Sequence, residues 1–140
     1  MSNFNWGYPN IVWFGNDRVK YLPKACKILK INKPLFVTDK DLIKTKMVQE
    51  TLEINKRANL LTSVFSDLKG NPLGSHVKKG AEIFKNGNYD GIIAFGGGSS
   101  LDVGKSIALQ ASLNRPLWDF TDGGSFWNER KFSESMAANR

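Results

Sequence analysis

The chain has 140 residues, 41% of them hydrophobic and 24% charged, with a formal net charge of +7 and one cysteine, Cys26. That length suits one domain with a real core, residues 1–140. No run approaches the roughly 20 apolar residues of a membrane-spanning helix, and a lone cysteine excludes an internal disulfide. The start, MSNFNWGYPN, lacks the basic and apolar segments of a secretory signal, so a cytoplasmic setting is expected.

In chain order, Ile11 to Phe14 reads as a first short strand closed by Gly15-Asn16. Asp17 is then expected to cap a helix whose apolar side is Val19, Leu22, Ala25, Cys26 and Leu29. PLFVTD, residues 34 to 39, reads as a second strand, apolar enough to be buried on both faces as parallel sheets require. A lysine-rich helical stretch follows, with Leu42, Ile43, Met47, Val48 and Leu52 on its apolar side. Leu60 to Phe65 reads as a third strand and KGNPLG, residues 69 to 74, as a turn. Ser75 to Lys85 is a third helix with Val77, Ala81 and Phe84 on one side. Gly91 to Phe95 is a fourth strand, and Ser100 to about Leu113 a fourth helix. Residues 114–140 read as an irregular tail. This alternation predicts an α/β fold: a Rossmann-like, open, mostly parallel sheet with helices on both faces.

The lysines are scattered at helix-surface spacing without an arginine-rich run, which favours solvated faces over a nucleic-acid surface. The informative stretch is GIIAFGGGSSLDVGKS, residues 91 to 106. In an open α/β sheet, ligands sit beyond the carboxyl ends of the strands, where the next helix begins. Gly96, Gly97 and Gly98 fall at such an end, where backbone N–H groups can converge on an anion with a helix N-terminus behind them. Ser99 or Ser100 is expected to cap that helix, with Asp102 placed as in a capping box. Two phosphate-binding motifs fail here. From Gly96 the sixth place of the Rossmann fingerprint is Leu101, and the residue five before Gly104 of Gly104-Lys105-Ser106 is Ser99 where a P-loop needs glycine.

GGGSSLDVGK, residues 96 to 105, resembles the GGGS-x-x-D-x-x-K signature of the iron-containing (group III) alcohol dehydrogenases, whose fold is similar to that of dehydroquinate synthase. Pro9, Phe14-Gly15, VTD at 37 to 39, Asn71-Pro72 and Asp90-Gly91 keep the family's order. The resemblance implies that Gly96, Gly97, Gly98 and Ser99 hold the pyrophosphate of a nicotinamide dinucleotide. It places Asp39 at the adenosine ribose, which favours NAD over NADP, Asn71 near the adenosine end, and Asp102 near the nicotinamide side. On residues alone Asp39 could equally cap a helix, Asn71 form a plain turn and Asp102 serve the capping box. Lys105 reads as background charge or a structural contact. Gly104 replaces the family's small helix former, at about 1 kcal/mol relative to Ala.

Family members continue with a further strand and an all-helical domain carrying an aspartate and three histidines as metal ligands. This sequence lacks that C-terminal domain, so the resemblance implies a truncated nucleotide-binding domain, catalytically incomplete alone and unable by itself to hold the family's iron or zinc. The single histidine, His76, is expected to be solvent-facing or capping. A homodimer, or a complementing chain that makes this a non-catalytic binding or assembly module, is the alternative expectation.

Overall fold

The computed structural model describes residues 11–68, 70–113 and 115–121. Three parallel strands, β1 (Pro34–Val37), β2 (Ser63–Phe65) and β3 (Gly91–Ala94), form a sheet in the order β2-β1-β3. The helices are α1 (Leu22–Ile28), α2 (Lys46–Arg57), α3 (Gly74–Asn86) and α4 (Gly98–Leu113). Every residue of the central strand β1 is buried, because helices cover both of its faces. Leu35 and Val37 join Phe65, Val77, Ala81, Val103 and Ile107 under α3 and α4. Phe36 points the other way to Ile93, Cys26 and Val48 under α1 and α2, and stacks on Phe95 at 5.3 Å between ring centroids. The expected helices on both faces are therefore observed.

Several boundaries differ from the sequence reading, each for a local reason. Ile11 to Phe14 is not a strand: Ile11 and Phe14 are 86% and 94% exposed, and no strand among the described residues pairs with it. An apolar run becomes a strand only where a neighbour takes its backbone hydrogen bonds. Asp17 does not cap; it adopts a left-handed conformation (φ 57°) and pairs with Lys20 at 2.9 Å. A 3-10 turn, Arg18–Tyr21, precedes α1, whose first turn holds Pro23, where a missing N–H costs nothing.

The lysine-rich stretch divides into a 3-10 turn, Leu42–Lys44, and α2, which Thr45 caps by accepting from Val48 N–H. Met47 is half exposed there and not part of the apolar side. β2 is shorter than expected because Thr62 N–H donates back to Leu60 C=O (2.7 Å), a three-residue turn that delays the strand. Pro9, Lys69, Asn114 and the tail beyond residue 121 lie outside the described residues.

At the amino-terminal edge of the sheet Asp90 acts as a clamp. Its carboxylate accepts from the N–H groups of Asn32 (2.8 Å) and Lys33 (2.7 Å), tying the approach to β1 against the start of β3. Partial burial works against its charge, but these backbone donors outweigh that and hold the carboxyl below its ordinary pKa. Lys33 reinforces the clamp, donating to Gly87 C=O at 2.6 Å over the Tyr89 ring.

Candidate functional site: a glycine corner at the carboxyl edge of the sheet

β3 continues one step past Ala94, where Phe95 N–H donates to Val37 C=O at 2.8 Å. The chain then turns sharply. Gly96 has φ +140°, a region that residues with side chains rarely enter, and a Cβ there would stand 2.8 Å from Ser100 Oγ and 2.9 Å from Leu42 Cδ1. This glycine is needed by the fold itself.

Gly97 and Gly98 differ. A Cβ on either would meet nothing within 4 Å, and Gly96 to Gly98 are all exposed. Two glycines with empty space where side chains would be are not explained by packing within the described residues. That open space leaves the backbone there within reach of a ligand.

Behind them α4 begins. Its first helical bond runs from Leu101 N–H to Gly97 C=O at 3.1 Å, so the N–H groups of Gly98, Ser99 and Ser100 are among the donors that a helix start leaves without helical partners. Together with the helix dipole they favour an anion at this lip. The helix thus starts earlier than expected. Ser99 and Ser100 lie inside it, and the expected capping box of Ser99 with Asp102 is not formed. Asp102 instead faces solvent and pairs with Lys105 at 2.9 Å.

Ser100 carries an unusual feature. It is 1% exposed and its Oγ has no hydrogen-bond partner. Thr38 Oγ1, at the carboxyl end of β1, is likewise buried and unpartnered. Neither hydroxyl could be singled out from sequence, since a serine following a glycine turn reads first as a cap.

The other predicted residues fall at the same edge of the sheet. Asp39 follows β1, and its Oδ1 accepts from Asp41 N–H (2.9 Å) and Leu42 N–H (2.8 Å), so the capping reading of Asp39 is realised. Leu42, held by that cap, is the side chain packed against Gly96, which connects the Asp39 turn physically to the corner. Asn71 lies on the loop between β2 and α3, exposed and left-handed (φ 49°), the conformation that its side chain tolerates in turns. His76 has the capping role expected of it: Nδ1 accepts from Leu73 N–H at 3.1 Å.

Gly104 turns out to be a packing residue. A Cβ there would lie 2.6 Å from Ala94 Cβ, so its absence lets α4 sit directly on β3 and holds the helix start behind the corner. The helical penalty expected from sequence is offset by this close approach. Cys26 is core, as expected, and burial pushes its thiol pKa up. Among the described residues no three His, Cys, Asp or Glu side chains come together as a metal-binding group. No helix among them is long and apolar enough to cross a membrane.

Comparison with known proteins gives these observations a context. A family model for iron-containing alcohol dehydrogenases matches residues 9–137. The chain is 34% identical over 119 residues to 1,3-propanediol dehydrogenase of Citrobacter freundii, covering 84% of this chain and 31% of that protein. It is 32% identical over 120 residues to the NAD-dependent methanol dehydrogenase of Bacillus methanolicus, covering 86% and 31%. Among solved structures, NADH-dependent butanol dehydrogenase A of Thermotoga maritima superposes with a TM-score of 0.78 at 28% identity, covering 85% of this chain and 30% of that one. The chain spans about a third of the length of the curated relatives it matches.

Proposed function

Since the chain belongs to the iron-containing alcohol dehydrogenase family, we propose that its 140 residues form the dinucleotide-binding domain of an NAD-dependent alcohol dehydrogenase and hold the cofactor's diphosphate at Gly96 to Ser99. The observation that carries this reading is the open space over Gly97 and Gly98 in front of the free N–H groups of α4. A diphosphate there can approach the backbone more closely than any side chain would permit, and it meets the positive end of a 16-residue helix. NAD, when bound, supplies the hydride acceptor for oxidation of an alcohol.

The residues around the corner have distinct parts. Asp39 uses Oδ1 to cap its own turn, and its second carboxylate oxygen is available to accept from a ribose hydroxyl. The charge that makes Asp39 a good ribose acceptor repels a 2′-phosphate, which makes NAD the preferred cofactor and NADP the poorer one. Asn71 supports the adenosine end from the β2–α3 loop. Asp102, exposed one turn into α4, borders the side toward the nicotinamide and is held by Lys105. The part proposed for the described residues is to hold and orient the cofactor.

A second reading, a binding or assembly module completed by another polypeptide or a second copy, draws on β3. Among the described residues β3 pairs only with β1, and an edge strand can accept another strand on its free side. Size-exclusion chromatography with light scattering over a concentration series tests it: a monomer throughout argues against self-association.

Calorimetric titration with NAD and NADP tests the main reading. Saturable NAD binding, weaker for NADP and abolished by Gly97→Val, is the expected result. No binding of either cofactor at millimolar concentration, with the fold intact by circular dichroism, overturns it.

A further inference from the structure

Ser100 is buried to 1% exposure with an unpartnered hydroxyl, directly beneath the glycine corner. Two hydroxyls further inside the helices of this protein find their partner four residues back. Thr51 Oγ1 donates to Met47 C=O at 2.8 Å, and Ser112 Oγ donates to Ala108 C=O at 2.7 Å. This is the ordinary solution for Ser and Thr in helices. For Ser100 the residue four back is Gly96, whose φ of +140° takes the chain out of helical geometry, and the bond is not made. A buried hydroxyl left without a partner is unfavourable, so an arrangement that satisfies it is favoured wherever the corner can reach one. No packing opposes a backbone adjustment there: a Cβ on Gly97 or Gly98 would meet nothing within 4 Å, and glycine reaches a wide range of backbone angles.

We propose that Ser100 is a positioning residue for anion binding, and that its Oγ–H donates to the Gly96 carbonyl when the corner holds a diphosphate. Across a planar trans peptide, the C=O of one residue and the N–H of the next point in opposite directions. Pinning the Gly96 carbonyl inward therefore fixes the Gly97 N–H outward, toward the anion. The loaded corner satisfies the hydroxyl and the anion together, so Ser100 raises affinity without touching the ligand. This inference rests on the reading of the corner as a diphosphate cradle.

The test compares the unmutated chain with Ser100→Ala and with Ser100→Cys, which nearly preserves volume but hydrogen-bonds weakly. Each is titrated with NAD and with inorganic pyrophosphate by calorimetry, and the ligand-free melting temperature of each is recorded. The expected result is a roughly five- to tenfold weaker Kd for both ligands in both variants, the worth of about one hydrogen bond. The ligand-free melting temperature should be unchanged or raised, because the deleted hydroxyl had no partner there. A purely structural Ser100 would lower that temperature and leave Kd alone, which overturns the inference. Equal affinities in all three chains overturn it too while leaving the cradle standing. If the unmutated chain binds neither ligand, the cradle reading and this inference fall together.

Discussion

Gly104→Ala sets two effects of opposite sign against each other. Helix propensity alone predicts that replacing a mid-helix glycine by alanine stabilises the protein by about 1 kcal/mol. The structure predicts the opposite. The new Cβ would stand 2.6 Å from Ala94 Cβ, with Ala94 Cα and Ile92 Cγ2 both at 3.5 Å. Carbon atoms prefer roughly 3.5–4.0 Å, so α4 must withdraw from β3 by about 1 Å. The short Ala94 side chain cannot swing aside, which puts the strain toward the upper end of the roughly 1–3 kcal/mol typical of overpacking. Subtracting the propensity gain leaves a net loss of about 1–2 kcal/mol. For a domain of this size that lowers Tm by roughly 3–7 °C, measurable by thermal circular dichroism. Ala94→Gly removes the opposing methyl, so Gly104→Ala in that background should be neutral or stabilising, a coupling that a double-mutant cycle reads directly. A Tm that stays level or rises in the Gly104→Ala single variant refutes the close-packing argument.

The corner glycines should separate cleanly under urea denaturation. Gly96→Ala forces a left-handed conformation and two contacts under 3 Å and should cost about 2 kcal/mol, whereas Gly97→Ala meets open space and should change stability by less than about 0.5 kcal/mol. Equal losses at both positions would contradict the division of roles. Asp90→Ala releases the Asn32 and Lys33 N–H groups to water and should cost about 1 kcal/mol at pH 7. Because the folded carboxyl has a lowered pKa, its contribution is present above the unfolded value of about 3.9 and is lost as pH falls through the folded value, so Asp90→Ala should flatten the acid limb of a stability-versus-pH curve. An unchanged acid limb would exclude the clamp. Cys26, buried with its thiol pKa raised, should react with a thiol reagent only as the protein opens; complete labelling within the mixing time in native buffer would show that α1 does not cover it.

What could be read in advance was what local chemistry decides. The run of buried residues in β1 and the alternation with amphipathic segments require a covered parallel sheet, and three consecutive glycines at a strand end announce a backbone-exposing turn. Interactions between distant segments were not legible. Ile11 to Phe14 looks the same whether or not a neighbouring strand accepts it, and the back-bond at Thr62 that shortens β2 has no composition signal. Gly104 reads as a helical weakness until Ala94 is seen against it, and Ser100 reads as a cap until its hydroxyl is found buried. For Asp39 the sequence left a cap and a ribose contact open; the structure realises the cap on one carboxylate oxygen, which is compatible with the ribose contact proposed for the other.

The central claim is that the corner at Gly96 to Ser99 holds a dinucleotide's diphosphate, and amide NMR during titration of the chain with NAD tests it most directly. The account predicts that the N–H resonances of Gly97, Gly98 and Ser99 shift together, saturate with one Kd, and follow inorganic pyrophosphate in the same direction. Saturable shifts elsewhere with these three amides unmoved would contradict it.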